Sequence, residues 1–461
     1  MGHTQQNGFL TRSPARLFAE NAIPMVFIMM MNGLLNVVDA IFLGHYVGTD
    51  AMAAVSIAFP FIMATIAFST LVSGGMSSLL ARHLGAGDVE AASRLFARAH
   101  GLALAVALIA IAAYLAFGRA VVVQASGGDE VIARMGHVYL MIMFVGLPVQ
   151  FMLGVHGDAC RNEGRAGLMA LLSVGVTLGN AGLNFVLIVV LGWGVAGSAV
   201  GTVAAQGLAA ALLVGIRLRA GGPVPLAALR RYRWTGGWKP ILTLGAPLSL
   251  SFIGMALVSS VVIATLRLTA GETYPTLLAA YGIVTRIFGF TYLPLMAIGL
   301  ATQAIAGNNV GAGLVRRSNE TLLIAVGTAF IYGLTVESVL LMGGHWLGAG
   351  FVGDDAVIAA VASILRPMAA LYLFTGPVLV VALYFQAVGQ PGRTALLTLV
   401  KPFLLLPALI AAVAGVFGGD ALWFAFPAAD LVMAGLAGAI VIGALKARPV
   451  GGGFGLAAGA G

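Results

Sequence analysis

The chain has 461 residues, 60% of them hydrophobic and only 9% charged, with a formal net charge of +8 and a single cysteine, Cys160. Water-soluble domains carry about 25% charged residues, so this composition excludes an ordinary soluble fold and describes a chain whose solvent is a bilayer. One cysteine excludes an internal disulfide and most metal–thiolate sites, and the positive charge lies in connections between apolar segments, where membrane topology explains it without a nucleic-acid partner.

An apolar helix needs ~20 residues to cross ~30 Å of hydrocarbon. In chain order, segments of that size predict spans at 22–46, 52–81, 95–118, 131–157, 167–191, 195–216, 240–266, 277–306, 318–343, 356–388, 394–418 and 421–445. The first twenty residues hold Arg12, Arg16 and Glu20 but no apolar core, so a cleavable signal peptide is not expected. The uncharged stretch from Ala166 to Ile216 is too long for one span, and Gly192-Trp193-Gly194 divides it into a helical hairpin. The expected fold class is an all-α integral membrane protein with 12 transmembrane helices in two six-helix bundles. Its expected domains are a cytoplasmic segment (1–21), an amino-terminal lobe (22–216), a basic linker (217–239), a carboxy-terminal lobe (240–445) and a tail (446–461).

Positive charge sets the expected orientation. Connections on the side of the amino terminus hold eighteen Lys and Arg residues, from Arg12 through Arg82, Arg94, Arg98 and the Arg217–Lys239 linker to Arg448; the opposite side holds Arg119, Arg134 and Arg267. Both termini are therefore expected in the cytoplasm.

The halves also resemble each other. An offset of 226 positions aligns 51–87 with 277–313, placing Gly85-Ala86-Gly87 on Gly311-Ala312-Gly313, and Asp129 on Asp355; a nearly equal offset pairs Gly164-Arg165 with Gly392-Arg393. Each unit has six spans, an even number, so the repeats share one topology and would relate by an axis along the membrane normal. Two such bundles around a cleft are a transporter architecture.

The few polar residues inside the spans are the candidates for function. A carboxylate at the centre of a spanning helix costs ~2.5–3.5 kcal/mol on insertion scales, so Asp39 should face protein or a wet cavity. Desolvation disfavours its charged form, a property suited to taking and releasing a proton; the alternative is a structural aspartate capping a neighbouring helix. Asn32, Asn36 and Asp39 share one helical face, which Met25 and Met29 continue. Asn180 and Asn184 share a face of the fifth span, with Thr202 in reach from the sixth; they serve either as ligands or as interhelical hydrogen-bonding groups. Pro24 removes a backbone donor early in the first span and lets it bend, or is simply tolerated in the first turn. His137 and His156 on the fourth span are packing residues or proton carriers. Arg286, Arg366, Lys401, Glu337 and Asp430 are expected to pair within the carboxy-terminal lobe or to snorkel, with Asp430 the second candidate for a transport role.

Several local patterns, in order along the whole chain, resemble the multidrug and toxic compound extrusion (MATE) family, and most of all its bacterial DinF-like branch. They are Pro24 with Asn36-Val-Val-Asp39-Ala-Ile-Phe42-Leu-Gly44; Gly85-Ala-Gly-Asp88; Asn180 to Asn184 with Gly192-Trp-Gly-Val-Ala-Gly197; Ala280-Tyr-Gly-Ile283 with Arg286; Gln303 with Asn309-Val-Gly-Ala-Gly313; Phe385-Gln-Ala-Val-Gly389; and Phe426-Pro-Ala-Ala-Asp430. The resemblance implies secondary active efflux of amphipathic, mostly cationic organic compounds, driven by inward proton or sodium flow, in a bacterial cytoplasmic membrane. It implies that Asp39, Asn180, Asn184 and Thr202 occupy the positions of an amino-terminal cation site, that Tyr139 lines the cavity with Asn32, Asn36 and Met29, and that a bend at Pro24 reshapes it. Asn184 stands where many DinF-like members have a second aspartate. That departure removes one charge and weakens a sodium site, since a hard cation wants several oxygens and charge; a proton is the favoured coupling ion and sodium the alternative. The NorM-like branch uses carboxylates in the seventh and tenth spans, and here 240–266 and 367–388 have none. No cofactor, firm metal site or catalytic residue is expected, and the protein is expected to be a monomer in the bilayer acting on small organic molecules.

Rival classes remain. A major-facilitator carrier would have a G-x-x-x-D-R-x-G-R-R turn where this chain has Arg82-His-Leu-Gly-Ala-Gly-Asp-Val-Glu90. A lipid-linked sugar flippase often has fourteen spans and a charged cavity. An enzyme would need a catalytic motif, and neither HExxH nor GxSxG occurs. A channel would need a selectivity filter.

Overall fold

A computed structural model describes residues 7–446. Arg448, counted above with the basic loops, the first six residues, and the expected tail beyond Lys446 lie outside the described residues. The described residues form helices and turns, with no strand among them. The helices long and apolar enough to cross a membrane are α1 (Pro14–Tyr46), α2 (Thr49–Gly85), α3 (Val89–Ala125), α5 (Ala166–Val190), α6 (Gly194–Ala220), α7 (Lys239–Thr269), α8 (Gly271–Gly311), α9 (Val315–Ala349), α11 (Pro391–Phe417) and α12 (Gly419–Ala444). Two bent pairs complete the set: α4 (Glu130–Val145 with Leu147–Asn162, 47°) and α10 (Asp355–Ala369 with Tyr372–Ala387, 49°). With each pair taken as one span there are twelve.

The fourth and tenth spans, each expected as one segment, are bent within their length, and a proline lies near each bend. Pro148 follows the break at Gly146 and Pro367 precedes the break at Ala370-Leu371; each lacks the N–H that would continue the helical ladder. At the second break Leu371 is left-handed, with φ 68°. By contrast, α1 runs unbroken through Pro24. The α5–α6 hairpin turns where glycine predicts it, with Gly192 and Gly194 at φ 68° and 55°, a region that side chains with a Cβ seldom enter.

Packing divides the described residues into two compact units: those up to Phe9 with Ile23–Phe252, and Leu10–Ala22 with those from Ile253 to Lys446. The division falls inside α1 and α7, and residues 217–239 belong wholly to the first unit. Two glycines explain why the start of α7 joins that unit. A Cβ at Gly75 would stand 2.1 Å from the Ile241 carbonyl oxygen, and one at Gly245 would stand 1.9 Å from that of Leu71, so α2 and α7 touch backbone to backbone there, the close approach that small residues allow in lipid. Ser249 Oγ donates to the Ala67 carbonyl at 2.7 Å beside this contact. Phe96, Phe151, Met76, Leu80, Leu140 and Leu147 fill the core of the first unit; Tyr281, Val361, Ile364, Leu365, Leu422 and Trp423 fill that of the second.

The internal repeat holds at the level of individual turns. Gly87 and Gly313 end α2 and α8 in the same left-handed conformation, φ 73° and 74°. Asp129 caps α4 by accepting from Val131 N and Ile132 N, and its counterpart is Asp354, which caps α10 by accepting from Ala356 N and Val357 N, rather than Asp355, the residue that the offset of 226 selects. The turn after α4 places Gly164 at φ 80° and the turn after α10 places Gly389 at φ 83°. Gly164 therefore pairs with Gly389 rather than with Gly392, whose match is an accident of Gly-Arg sequence. Side chains repeat as well: Arg161 Nη2 donates to Ser77 Oγ at 2.8 Å between α4 and α2, and Gln303 Nε2 donates to Gln386 Oε1 at 2.8 Å between α8 and α10.

Candidate functional site

The polar cluster of the first unit is assembled by close packing of α6 on α5. Gly194, Gly197 and Gly201 line one side of α6; a Cβ at Gly197 would lie 3.1 Å from the Leu187 backbone, and one at Gly201 would lie 2.6 Å from Asn184 Oδ1. Immediately after Asn184, α5 widens into a π-helical turn over Phe185–Val190, a distortion frequent at functional sites. Asn180 and Asn184 are thereby held without solvent exposure, Thr202 comes within reach from α6, and α1 delivers Asp39, itself 8% exposed.

The four side chains form one network. Asn184 Nδ2 donates to Asp39 Oδ1 at 2.5 Å and to Asn180 Oδ1 at 3.1 Å. Thr202 Oγ1 donates to Asp39 Oδ2 at 3.2 Å, and Asn180 Nδ2 donates to Thr202 Oγ1 at 3.1 Å. Both carboxylate oxygens thus accept from neutral groups, and among the described residues no salt bridge reaches Asp39. Two buried oxygens at the cluster lack a hydrogen-bond partner: Asn184 Oδ1 and, one turn from Thr202, Ser198 Oγ. An amide can rotate, so Asn184 has both a donor for an ionised Asp39 and an acceptor for a protonated one.

The remaining candidates are placed as follows. Tyr139 is buried on α4 within electrostatic reach of Asp39, and Met29 and Pro24 are half-buried on α1. Asn32 and Asn36 are exposed and bonded along the helix, Asn36 Nδ2 donating to the Asn32 carbonyl at 3.0 Å; the structure does not bring them to the Asp39 network. His137 meets Tyr114 Oη at 3.1 Å, and His156 Nε2 meets His100 Nε2 at 3.1 Å against Phe96, so each histidine sits in a packed polar contact. Glu337, on α9, accepts from Leu371 N at 3.1 Å and from Leu373 N at 2.9 Å: it caps the break in α10. Asp430 pairs with Lys401 and accepts from Thr375 Oγ1 at 3.3 Å. Arg286 is exposed on α8. Among the described residues no group of three or more His, Cys, Asp or Glu could hold a metal ion. Sequence reasoning missed Gly201 and Ser198; the small residues at 194, 197, 198 and 201 on one side of α6 were the available signal.

A many-span helical protein made of two six-span repeats, with a polar network sunk in one of them, has the form of a membrane transporter. The chain matches the family described as MatE over residues 24–187 and 247–409, most of its length and once in each half, and it belongs to that family of MATE multidrug efflux transporters. It is similar to a FAD transporter of Shewanella oneidensis, 23% identical over 436 residues that cover 93% of this chain and 94% of the relative. It is also similar to the multidrug export protein MepA of Staphylococcus aureus, 22% identical over 411 residues that cover 88% and 89%. Among solved structures, a MOP superfamily transporter from Pyrococcus furiosus shares the fold with a TM-score of 0.88 at 22% identity, over 97% of this chain and 100% of that one. MATE proteins carry small molecules through membranes and are not enzymes.

Proposed function

We propose that the chain is a proton-coupled antiporter that expels amphipathic, mostly cationic organic compounds, with Asp39 as the proton carrier. The observation that carries this reading is a buried carboxylate on a spanning helix whose hydrogen-bond partners are all neutral. A permanent cationic partner would hold Asp39 ionised; amides and a hydroxyl leave both protonation states accessible. On protonation one carboxyl oxygen becomes a donor, and rotation of the Asn184 amide presents the acceptor it needs. Thr202, itself accepting from Asn180, holds the other carboxyl oxygen, so the proton alters a local network rather than the packing. Because α1 carries Asp39, this change acts directly on the helix that also contains Pro24. Sodium would have one formal charge and three neutral side chains to offset its dehydration, a poor exchange for a hard cation. On this reading the protein is a monomer in the bacterial cytoplasmic membrane with both termini inside, and its lobes are 22–216 and 240–445.

A second substrate reading has its own support. The Shewanella relative is named for FAD, an anionic dinucleotide, and α8 here presents an exposed arginine, Arg286, well inside an apolar span, where a cation facing lipid would be costly. Uptake into everted vesicles decides both questions. An imposed proton gradient should drive accumulation of a labelled organic cation, and Asp39→Asn should abolish it. Uptake of labelled FAD instead, sensitive to Arg286→Gln, would establish the anionic reading. Sodium-driven uptake with no response to protons would refute the coupling assignment.

A further inference from the structure

Away from the Asp39 network, the first unit contains a cavity of about 320 Å³ where the end of α2, the start of α3 and the start of α7 converge. Its walls divide by chemistry. Leu79, Leu95 and Pro240 make an apolar side; Arg94 and Arg98 make a cationic one, with the His83 imidazole beside them, and no carboxylate lines it. Of the nearby acids, Asp88 accepts from Ala91 N at the cap of α3, whereas Glu90 meets Arg94 itself at 3.3 Å on an exposed edge, a surface pair weak enough for a phosphate to displace. Arg98 is positioned by the backbone of the chain entering α7. Gly237 has φ 66°, and a Cβ on it would stand 2.7 Å from Arg98 Nη1, so glycine is what lets the guanidinium lie against this segment. The cavity lies on the side of the unit that bears the Arg217–Lys239 stretch, at the ends of three spans.

We propose that this cavity binds a phosphate ester, with the phosphate on Arg94 and Arg98 and the attached apolar or glycerol portion against Leu79, Leu95 and Pro240. Paired guanidinium groups suit phosphate oxygens, and basic pockets between spans on the cytoplasmic side take anionic headgroups. The same chemistry fits an anionic phospholipid or a free phosphate ester from solution. This site is separate from the coupling network and stands whether or not Asp39 carries a proton.

The test uses delipidated full-length protein titrated with phosphatidylglycerol, phosphatidylcholine and glycerol 3-phosphate, with binding read by native mass spectrometry and folding by circular dichroism. Phosphatidylglycerol should bind more tightly than phosphatidylcholine, and the double variant Arg94→Gln/Arg98→Gln should lose on the order of tenfold or more of that affinity. Gly237→Ala, which leaves both arginines in place, should weaken binding by displacing Arg98, and Arg98→Lys should retain part of it. Glycerol 3-phosphate binding as tightly as the lipid, with the same sensitivity to the variants, would identify a soluble ester as the occupant. Equal phosphatidylglycerol binding by the wild type and the double variant, both folded, would overturn the proposal, as would the absence of any preference for the anionic probes.

Discussion

At the scale of single residues, the Asp39 network is a set of donors converging on one carboxyl group. Asp39→Asn replaces an acceptor by an amide of equal shape and removes the burden of burying a charge, so the variant should fold, with stability within about 1.5 kcal/mol of the wild type, while losing proton-driven uptake. Wild-type uptake in Asp39→Asn vesicles would move the coupling role to another residue, Asp430 first. Asn184→Asp restores a second carboxylate beside Asp39; sodium should then raise the unfolding temperature of this variant and leave that of the wild type unchanged. Gly201→Ala places a methyl group 2.6 Å from Asn184 Oδ1. It should cost roughly 1–3 kcal/mol by overpacking and impair coupling by pushing Asn184 off Asp39, measured as thermal unfolding and vesicle uptake on the same preparation. The four polar members were legible in sequence because polar atoms inside apolar helices stand out against their surroundings. Gly201 was not, since a glycine announces nothing until the partner helix is in place. Asn32 and Asn36 show the complementary limit: period 3.6 puts them on the face of Asp39, but which part of that face is covered depends on neighbouring helices.

At the scale of elements, α4 and α10 are each broken by proline chemistry at corresponding positions of the repeat, yet the breaks are secured differently. In α10 the carboxylate of Glu337 takes both freed backbone donors, Leu371 N and Leu373 N, so a residue that sequence alone presents as an intramembrane charge is a cap supplied from the neighbouring helix. Glu337→Ala strands two N–H groups and should destabilise the protein by on the order of 2–4 kcal/mol. Glu337→Gln keeps one acceptor oxygen and should lose about half as much. Equal unfolding temperatures for all three proteins would show that the cap contributes nothing. Span positions and the α5–α6 hairpin could be read from hydropathy and glycine. The breaks were harder to see, because a proline within a hydrophobic run leaves its length and composition unchanged. The register between the halves was likewise only approximate in sequence; backbone conformation at Gly87, Gly313, Gly164 and Gly389 distinguishes true correspondences from coincidences of glycine-rich composition.

At the scale of the whole chain, duplication supplied two copies of one six-helix plan, and the copies have diverged where chemistry matters. Structural pairs survive in both, as Ser77–Arg161 and Gln303–Gln386, whereas the Asp39 network belongs to the first unit alone and the Lys401–Asp430 pair to the second. Both copies also retain an even number of spans, so the direction of the entire chain in the membrane rests on its charged connections. The stretch from Arg217 to Lys239 is the most basic of these and should face the cytoplasm. Ala227 is exposed in that stretch, and the native Cys160 is buried, receiving a hydrogen bond from Arg217 Nη1 at 3.2 Å, so it should stay silent toward a membrane-impermeant thiol reagent. Ala227→Cys should therefore be labelled in everted vesicles and protected in intact cells. Labelling from outside in intact cells would reverse the orientation and move the proposed phosphate site to the outer surface.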